Sequence, residues 1–149
     1  MNLNIRFASQ KDIKNVFMLA NDDLVRANSI NSQKIKYSDH ERWFNDKIKQ
    51  KDTLFYILEI DENFAGYARL DKQKNGYYLV SIDILAFYRG KKLGNAFLKN
   101  ICEQNEKKPM LAYVKTHNIA SKKIFENNNF TLFDEIIIKG EKYYIFKKF

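Results

Sequence analysis

The residues of this chain most able to do chemistry lie in Tyr88-Arg89-Gly90-Lys91-Lys92-Leu93-Gly94, a basic stretch between the apolar run Leu79 to Leu85 and a segment of helical periodicity. A glycine-bearing loop at a strand-to-helix junction turns backbone N–H groups and a helix N-terminus toward an anion. The chemistry it suggests is the holding of a phosphate-bearing ligand. Farther along come Asn118-Ile119-Ala120-Ser121, then Phe125 and Phe130. Titratable side chains add a second capability. His40, in His40-x-x-Trp43, titrates near neutrality and is able to take a proton from an ammonium, although a histidine that orients a loop above a buried Trp43 fits the same pattern. Asp83 is a second candidate base, and strand alternation leaves open whether it faces a site or a solvated edge. Tyr88, Tyr113 and His117 are candidate proton donors.

The elements that must position these residues follow from periodicity. Leu3 to Ala8 alternates as a strand, and Ser9 is placed to cap a helix carrying Ile13, Val16, Phe17 and Ala20. Asn21 to Tyr37 reads as a loop with a helical piece, and Ser38 as the cap of a second helix with Trp43, Phe44 and Ile48. Thr53 to Ile60, Phe64 to Asp71 and Tyr77 to Leu85 read as strands joined by turns at Asp61-Glu62-Asn63 and Lys74-Asn75-Gly76. Lys92 to Asn105 is an amphipathic helix, Met110 to Lys115 a strand, Asn118 to Asn128 a helix. Phe130 to Ile138 and Lys142 to Lys147 form a closing hairpin. The order predicts a mixed α/β fold, an antiparallel meander continuing through a helix into a neighbouring strand.

Composition narrows the classes. The chain of 149 residues, with one proline, Pro109, and no linker or repeat, is one domain over 1–149. Its single cysteine, Cys102, falls in a helical pattern and has no internal partner, which points to a structural thiol and a reducing, cytoplasmic setting. No run reaches the roughly 18 apolar residues of a membrane span, and the N-terminus lacks the order of a signal peptide. The net charge of +8 comes almost wholly from lysines scattered along the chain, so nucleic-acid binding is not expected, while a small anionic ligand would be drawn in. The arginines are few: Arg6, Arg26, Arg42, Arg69 and Arg89. Where lysine is abundant, each hints at a planar or bidentate contact, although ordinary ion pairs suit Arg6 and Arg42.

The order of elements and the two motifs resemble the GNAT superfamily of acyl-CoA N-acyltransferases over essentially the whole chain. The family's Arg/Gln-x-x-Gly-x-Gly/Ala motif is matched by Arg89, Gly90, Lys91, Lys92, Leu93 and Gly94, with Lys92 in place of the middle glycine. Lysine disfavours a positive φ, so either the position does not need one or the loop is altered. A second motif is matched by Asn118, Ser121 and Phe125, ending at Asn129-Phe130. The resemblance implies a mostly antiparallel sheet with splayed fourth and fifth strands, helices on both faces, and acetyl-CoA as cofactor. It implies that the loop amides hold the pyrophosphate and that pantetheine lies along Ile82 and Ile84 and meets Asn118, Ser121 and Phe125. A backbone N–H near Ile82 would polarise the thioester carbonyl, and an amine would attack directly without an acyl-enzyme. No metal takes part. Many relatives carry a tyrosine at Phe125 as an acid; phenylalanine cannot donate a proton.

The segments Asn21 to Ser29 and Asp39 to Phe44, with Phe64 to Asp71 and Ser81 to Ile84, resemble a subgroup that acetylates amino groups of nucleotide-linked sugars in pseudaminic-acid-type pathways. That likeness implies a small, anionic acceptor, a 4-amino-6-deoxy sugar on a nucleotide, met by Arg26, Asn28, Ser29, His40, Trp43 and Arg69. A peptide or polyamine N-acetyltransferase and a non-catalytic CoA-binding module are the alternatives. The closing strands of relatives pair with a second subunit, which makes a homodimer possible.

Overall fold

The computed structural model describes all 149 residues. Its elements are β1 (Leu3–Phe7), α1 (Ile13–Ala20), α2 (Asp23–Ala27), α3 (Tyr37–Lys47), β2 (Thr53–Ile60), β3 (Asn63–Lys72), β4 (Tyr78–Ile84), α4 (Leu93–Gln104), β5 (Met110–Lys115), α5 (Ile119–Asn127), β6 (Thr131–Ile138) and β7 (Glu141–Lys148). Short 3-10 turns, Gln10–Asp12 and Ala86–Tyr88, lead into α1 and out of β4. The strands form one sheet of order β1-β2-β3-β4-β5-β7-β6. Every pair is antiparallel except β4–β5. The expected mixed α/β architecture is therefore present.

β2 and β3 are interior strands covered on both faces, which is why their sequences run apolar without polar alternation. On one face Phe97, Leu98 and Ile101 of α4 and Phe125 of α5 pack on Leu58, Ala68, Leu70, Ala112 and Phe146. On the other, Val16 and Leu19 of α1 and Phe44 of α3 pack on Phe55, Ile57 and Tyr67. Each fully buried leucine or phenylalanine contributes about 1.5–3 kcal/mol through burial, so both helical layers are firmly held. No helix is long and apolar enough to cross a membrane.

Local details differ from the sequence reading at helix starts. Ser38 is not a cap: α3 begins at Tyr37, with Lys36 at the N-cap. Tyr37 packs edge-on against Phe17, centroids 5.0 Å apart, which draws the preceding residue into the helix. Ser9 opens the first 3-10 turn, where its N–H donates to the Asp12 carboxylate at 2.8 Å. Arg6 also meets Asp12, at 2.7 Å, and Arg42 meets Asp39, at 2.6 Å, so both arginines form the ion pairs expected of them. Cys102 is buried, and burial pushes its thiol pKa up.

Candidate functional site

The site begins where the sheet opens. β4 and β5 pair only at Tyr78 with Met110 and Leu79 with Leu111. Tyr78 N–H donates to Pro109 O on the β5 side, at 2.9 Å. Because strand groups alternate sides, Val80, Ile82 and Ile84 aim their N–H and C=O groups the same way, and those of Ile82 and Ile84 lie beyond the last pair. An unpaired backbone edge is a template for an extended ligand.

Two cavities meet at this gap. A groove of about 580 Å³ runs past Ile84, Tyr88 and the loop into α4, and a second cavity of about 320 Å³ lies among β3, β4, β5 and α2. Val25, Asn28, Asp83, Asn118 and Ser121 line both.

The groove has an anion cradle. From Gly90 through Asn95 no backbone N–H finds an acceptor within the protein; the first helical bond is Ala96 N–H to Lys92 O. These donors, together with the N-terminus of α4, converge where negative charge is stabilised. Gly90 has φ +75° and Lys92 φ +62°, with no side-chain cap at Lys92. Lys92 thus adopts the left-handed conformation, at a cost of about 1–2 kcal/mol, and the lysine bears the strain. Gly94 packs so closely that a Cβ would stand 2.9 Å from Ile124 Cδ1. Arg89 is turned partly away from the groove it lines. Its Nε donates to Ile84 O and its Nη2 to Asp22 Oδ2, both at 2.9 Å. Asn118 caps α5 by accepting Ser121 N–H at 3.2 Å. Phe125 is core, 5.0 Å from Phe130 between centroids, and also borders the second cavity.

The second cavity is made of side chains. Asp83, half-buried on β4, stands opposite Tyr67 of β3. Burial pushes the Asp83 carboxyl up to about 6, against the opposing pull of a Tyr67 hydrogen bond and of Arg69, Arg26 and Arg89. Burial, and then Asp83, hold the Tyr67 hydroxyl well above its ordinary range, so it stays a donor. Arg69 donates to Asp71 at 2.6 Å and stacks over Trp43, 4.9 Å from the ring centroid. Ser81, Tyr113, Lys115 and Tyr143 complete the wall. Tyr113 is exposed; Lys115 is 3% exposed, and its ammonium donates to Ala27 O at 2.8 Å and pairs with Glu141 at 3.1 Å. Tyr67, Lys115 and Tyr143 escaped the sequence reading. The alternation that places Arg69 on one face of β3 also places Tyr67 there, and Tyr113 and Lys115 share a face of β5 in the same way, so a signal existed.

His40 lies elsewhere. It is 2% exposed and packed among Phe17, Trp43 and Phe44, with Nε2 3.0 Å from Ile13 O. Burial lowers its pKa. It lines neither cavity, so its expected contact with a substrate amine is corrected to a core role. Trp43 lines neither cavity either; it backs Arg69. Arg26 borders the second cavity but spends its donors on its own loop, on Ala20 O, Asn31 O and Ser29 Oγ. Asn28 and Ser29 also line the second cavity, and His117 lines neither.

The family model described as an acetyltransferase (GNAT) domain matches residues 21–139. Among solved structures, spermidine N-acetyltransferase from Vibrio cholerae in complex with CoA and spermine superposes with a TM-score of 0.87 at 14% identity, covering 98% of this chain and 94% of that one. Ribosomal-protein-alanine N-acetyltransferase from Brucella melitensis gives 0.84 at 16% identity, over 97% and 98%. Aminoglycoside acetyltransferase AAC(6')-Ib with coenzyme A gives 0.81 at 13% identity, over 99% and 94%. No curated protein sequence matches significantly.

Proposed function

The chain belongs to the GNAT acetyltransferase family, and from that premise we propose that it transfers an acetyl group from acetyl-CoA to the amine of a small anionic acceptor, a nucleotide-linked 4-amino-6-deoxy sugar. The observation that carries this reading is the meeting of a backbone-built anion cradle and a cation-walled cavity at Asp83.

The unsatisfied amides of Gly90, Lys91, Lys92, Leu93, Gly94 and Asn95 take the CoA pyrophosphate. Pantetheine adds to the open edge of β4, with the N–H and C=O of Ile82 and the N–H of Ile84 as its partners, the Ile84 carbonyl being held by Arg89, and the Asn118 side chain near the junction. The Ile82 N–H polarises the thioester carbonyl and holds the oxyanion of the tetrahedral intermediate. Asp83, with a carboxyl near 6, is ionised at neutral pH and takes the proton from the acceptor ammonium, directly or through water. The free amine attacks the carbonyl carbon, the C–S bond breaks, and CoA leaves as a thiolate while the amide remains on the acceptor. A thiol with a pKa near 8.5 is a good leaving group, so no acid is required where Phe125 stands; Tyr113, on the wall of the second cavity, is the candidate hydroxyl if one assists.

Arg26, Arg69 and Lys115 border the acceptor cavity with Asp83 as the carboxylate among them. That balance suits a phosphate-bearing acceptor and opposes a polyamine. Ser29 and Asn28 offer hydrogen bonds to sugar hydroxyls. The buried, free Cys102 suits a reducing cytoplasm. The edge strand β6 exposes Leu132, Phe133 and Ile137, which supports pairing with a second copy through its unpaired backbone.

Thiol release from acetyl-CoA, measured with UDP-4-amino-6-deoxy sugars, peptides and spermidine, tests the proposal. Turnover with the sugar nucleotide far above the others is expected. Turnover with peptide or spermidine alone would overturn the acceptor class, and tight CoA binding without turnover on any acceptor would favour a binding module.

A further inference from the structure

The short helix α2 is tied at both ends to opposite walls of the open gap. At its N-terminus Asp22 caps the helix, accepting Leu24 N–H at 3.1 Å and Val25 N–H at 3.2 Å, and the same Oδ2 accepts Arg89 Nη2 at 2.9 Å. Arg89 follows β4 and is itself pinned to Ile84 O. At the C-terminus the Ala27 carbonyl accepts from the buried Lys115 ammonium, at 2.8 Å, on the last residue of β5. Burial alone would raise the Asp22 carboxyl, but Arg89 and the two helix amides hold it below the ordinary range. Both links are charge-assisted and join residues far apart in sequence.

The strap between the ties is stiffened from within. Arg26 Nε donates to Ala20 O at 2.7 Å and Ser29 Oγ donates to Val25 O at 2.6 Å. Val25 and Asn28 line both cavities, and Arg26 borders the second. The strap therefore forms the wall shared by the two cavities, directly across the place where β4 and β5 part.

We propose that Arg89 and Lys115 are positioning residues: from opposite walls of the gap they hold α2 in place, and the strap, tied at both ends, orients the acceptor against the cofactor groove. This rests on the proposed reaction and adds a mechanical role for two cations that face α2. A strap of this kind works as a unit, so releasing either end frees it, and releasing the second adds little. Two independent local contacts would instead act additively. No hydrogen bond or ion pair joins Asp22 directly to Lys115.

The test compares Asp22→Asn, Lys115→Met and the double variant. Amide hydrogen exchange is read at Arg26 and Asn28, whose N–H groups donate to Asp22 O and Leu24 O. Each single variant is expected to speed exchange at both amides by about tenfold, the size of one charged hydrogen bond, and the double variant to exceed the larger single by less than about threefold. With a UDP-4-amino-6-deoxy sugar as acceptor, Asp22→Asn, at a residue that lines neither cavity, should raise the acceptor KM by about tenfold, with kcat within about twofold. Exchange effects that multiply in the double variant, or unchanged exchange in the singles, would overturn the strap. A lower melting temperature of Asp22→Asn with unchanged acceptor KM would also overturn it, by reducing the Asp22–Arg89 tie to a structural role. If the sugar is not turned over by the unaltered enzyme, the acceptor assignment fails while the exchange measurement still decides the strap.

Discussion

The groove proposed for the cofactor is built from backbone and the cavity proposed for the acceptor from side chains. The groove's donors are consecutive amides, Gly90 through Asn95, poised by one helix start. The acceptor cavity draws Arg26 from α2, Tyr67 and Arg69 from β3, Asp83 from β4, Lys115 from β5 and Tyr143 from β7. A backbone cradle recognises one ligand chemistry across a family and tolerates side-chain change. A side-chain cavity is free to vary on the same scaffold. Substitutions should therefore matter most where chemistry rests on a side chain, and least where it rests on the backbone.

Asp83→Asn should have the largest effect. Losing a general base costs about 10²–10⁴ in rate, and kcat should fall by at least about a hundredfold. In the unaltered enzyme, kcat/KM should decline as the pH drops below about 6, where the Asp83 carboxyl takes a proton. Stability should move the other way. The folded pKa is raised, so between about 3.8 and 6 the native state binds more protons than the unfolded one, and stability falls as the pH rises through that window. Asparagine removes this buried charge, so the variant should melt higher at pH 7, a gain that fades toward pH 4. Retained turnover, or a lower melting temperature at pH 7, would move the base elsewhere.

His40→Ala is the matching substitution away from both cavities. Removing a buried ring and its bond to Ile13 O should lower stability by about 2–4 kcal/mol, while activity per folded molecule stays within about twofold. Burial lowers the His40 pKa, so the unfolded chain takes up a proton near 6.5 that the native state refuses, and stability falls as the pH drops through that value. Denaturant melts from pH 5 to 8 should show part of that slope disappearing in the variant. A large loss of kcat in folded protein would restore His40 to the chemistry.

These residues also show what was legible beforehand. Thr53–Ile60 and Met110–Lys115 were bounded correctly because strand runs and turns are local signals. The run of free amides from Gly90 to Asn95 is legible for the same reason: loop, glycines and helix start are adjacent in the chain. Asp83 stayed ambiguous because its facing depends on pairing across to Tyr67, which no local pattern encodes. Of the two readings open for His40, relay or structural, burial favours the structural one, and the sequence carries a sign of it: on one helix, Trp43 and Phe44 fall on its face at i+3 and i+4. Arg26 borders the second cavity, but an irregular loop first needs donors for its own carbonyls, and most of its N–H groups go there.

Lys92 tests the backbone half directly. Lys92→Gly removes about 1–2 kcal/mol of left-handed strain and adds about 0.5–1 kcal/mol of unfolded-chain entropy, so stability should change by about 0–1.5 kcal/mol in the favourable direction. Lys92→Ala keeps the strain and loses only the ammonium. CoA affinity should fall a few-fold in either variant at low salt, and the difference should shrink as salt screens the charge. A loss of more than about a hundredfold in calorimetric titration would mean that the side chain, and not the amides, holds the phosphate.

Phe125→Tyr should have the smallest effect on rate. The position borders the acceptor cavity but packs against Phe130 and Phe146 and is 3% exposed. A hydroxyl added there must find a partner or cost about 1–3 kcal/mol of stability. If the departing thiolate needs no proton, supplying a donor changes nothing that limits the rate, and kcat should move by less than about threefold across pH 6–9. A rise above about tenfold that vanishes where tyrosine ionises, near pH 10, would show that this enzyme runs without an acid it could use. The open face of the cavity, where Tyr113 stands exposed, would then be the place where a bound acceptor or its water completes the proton path.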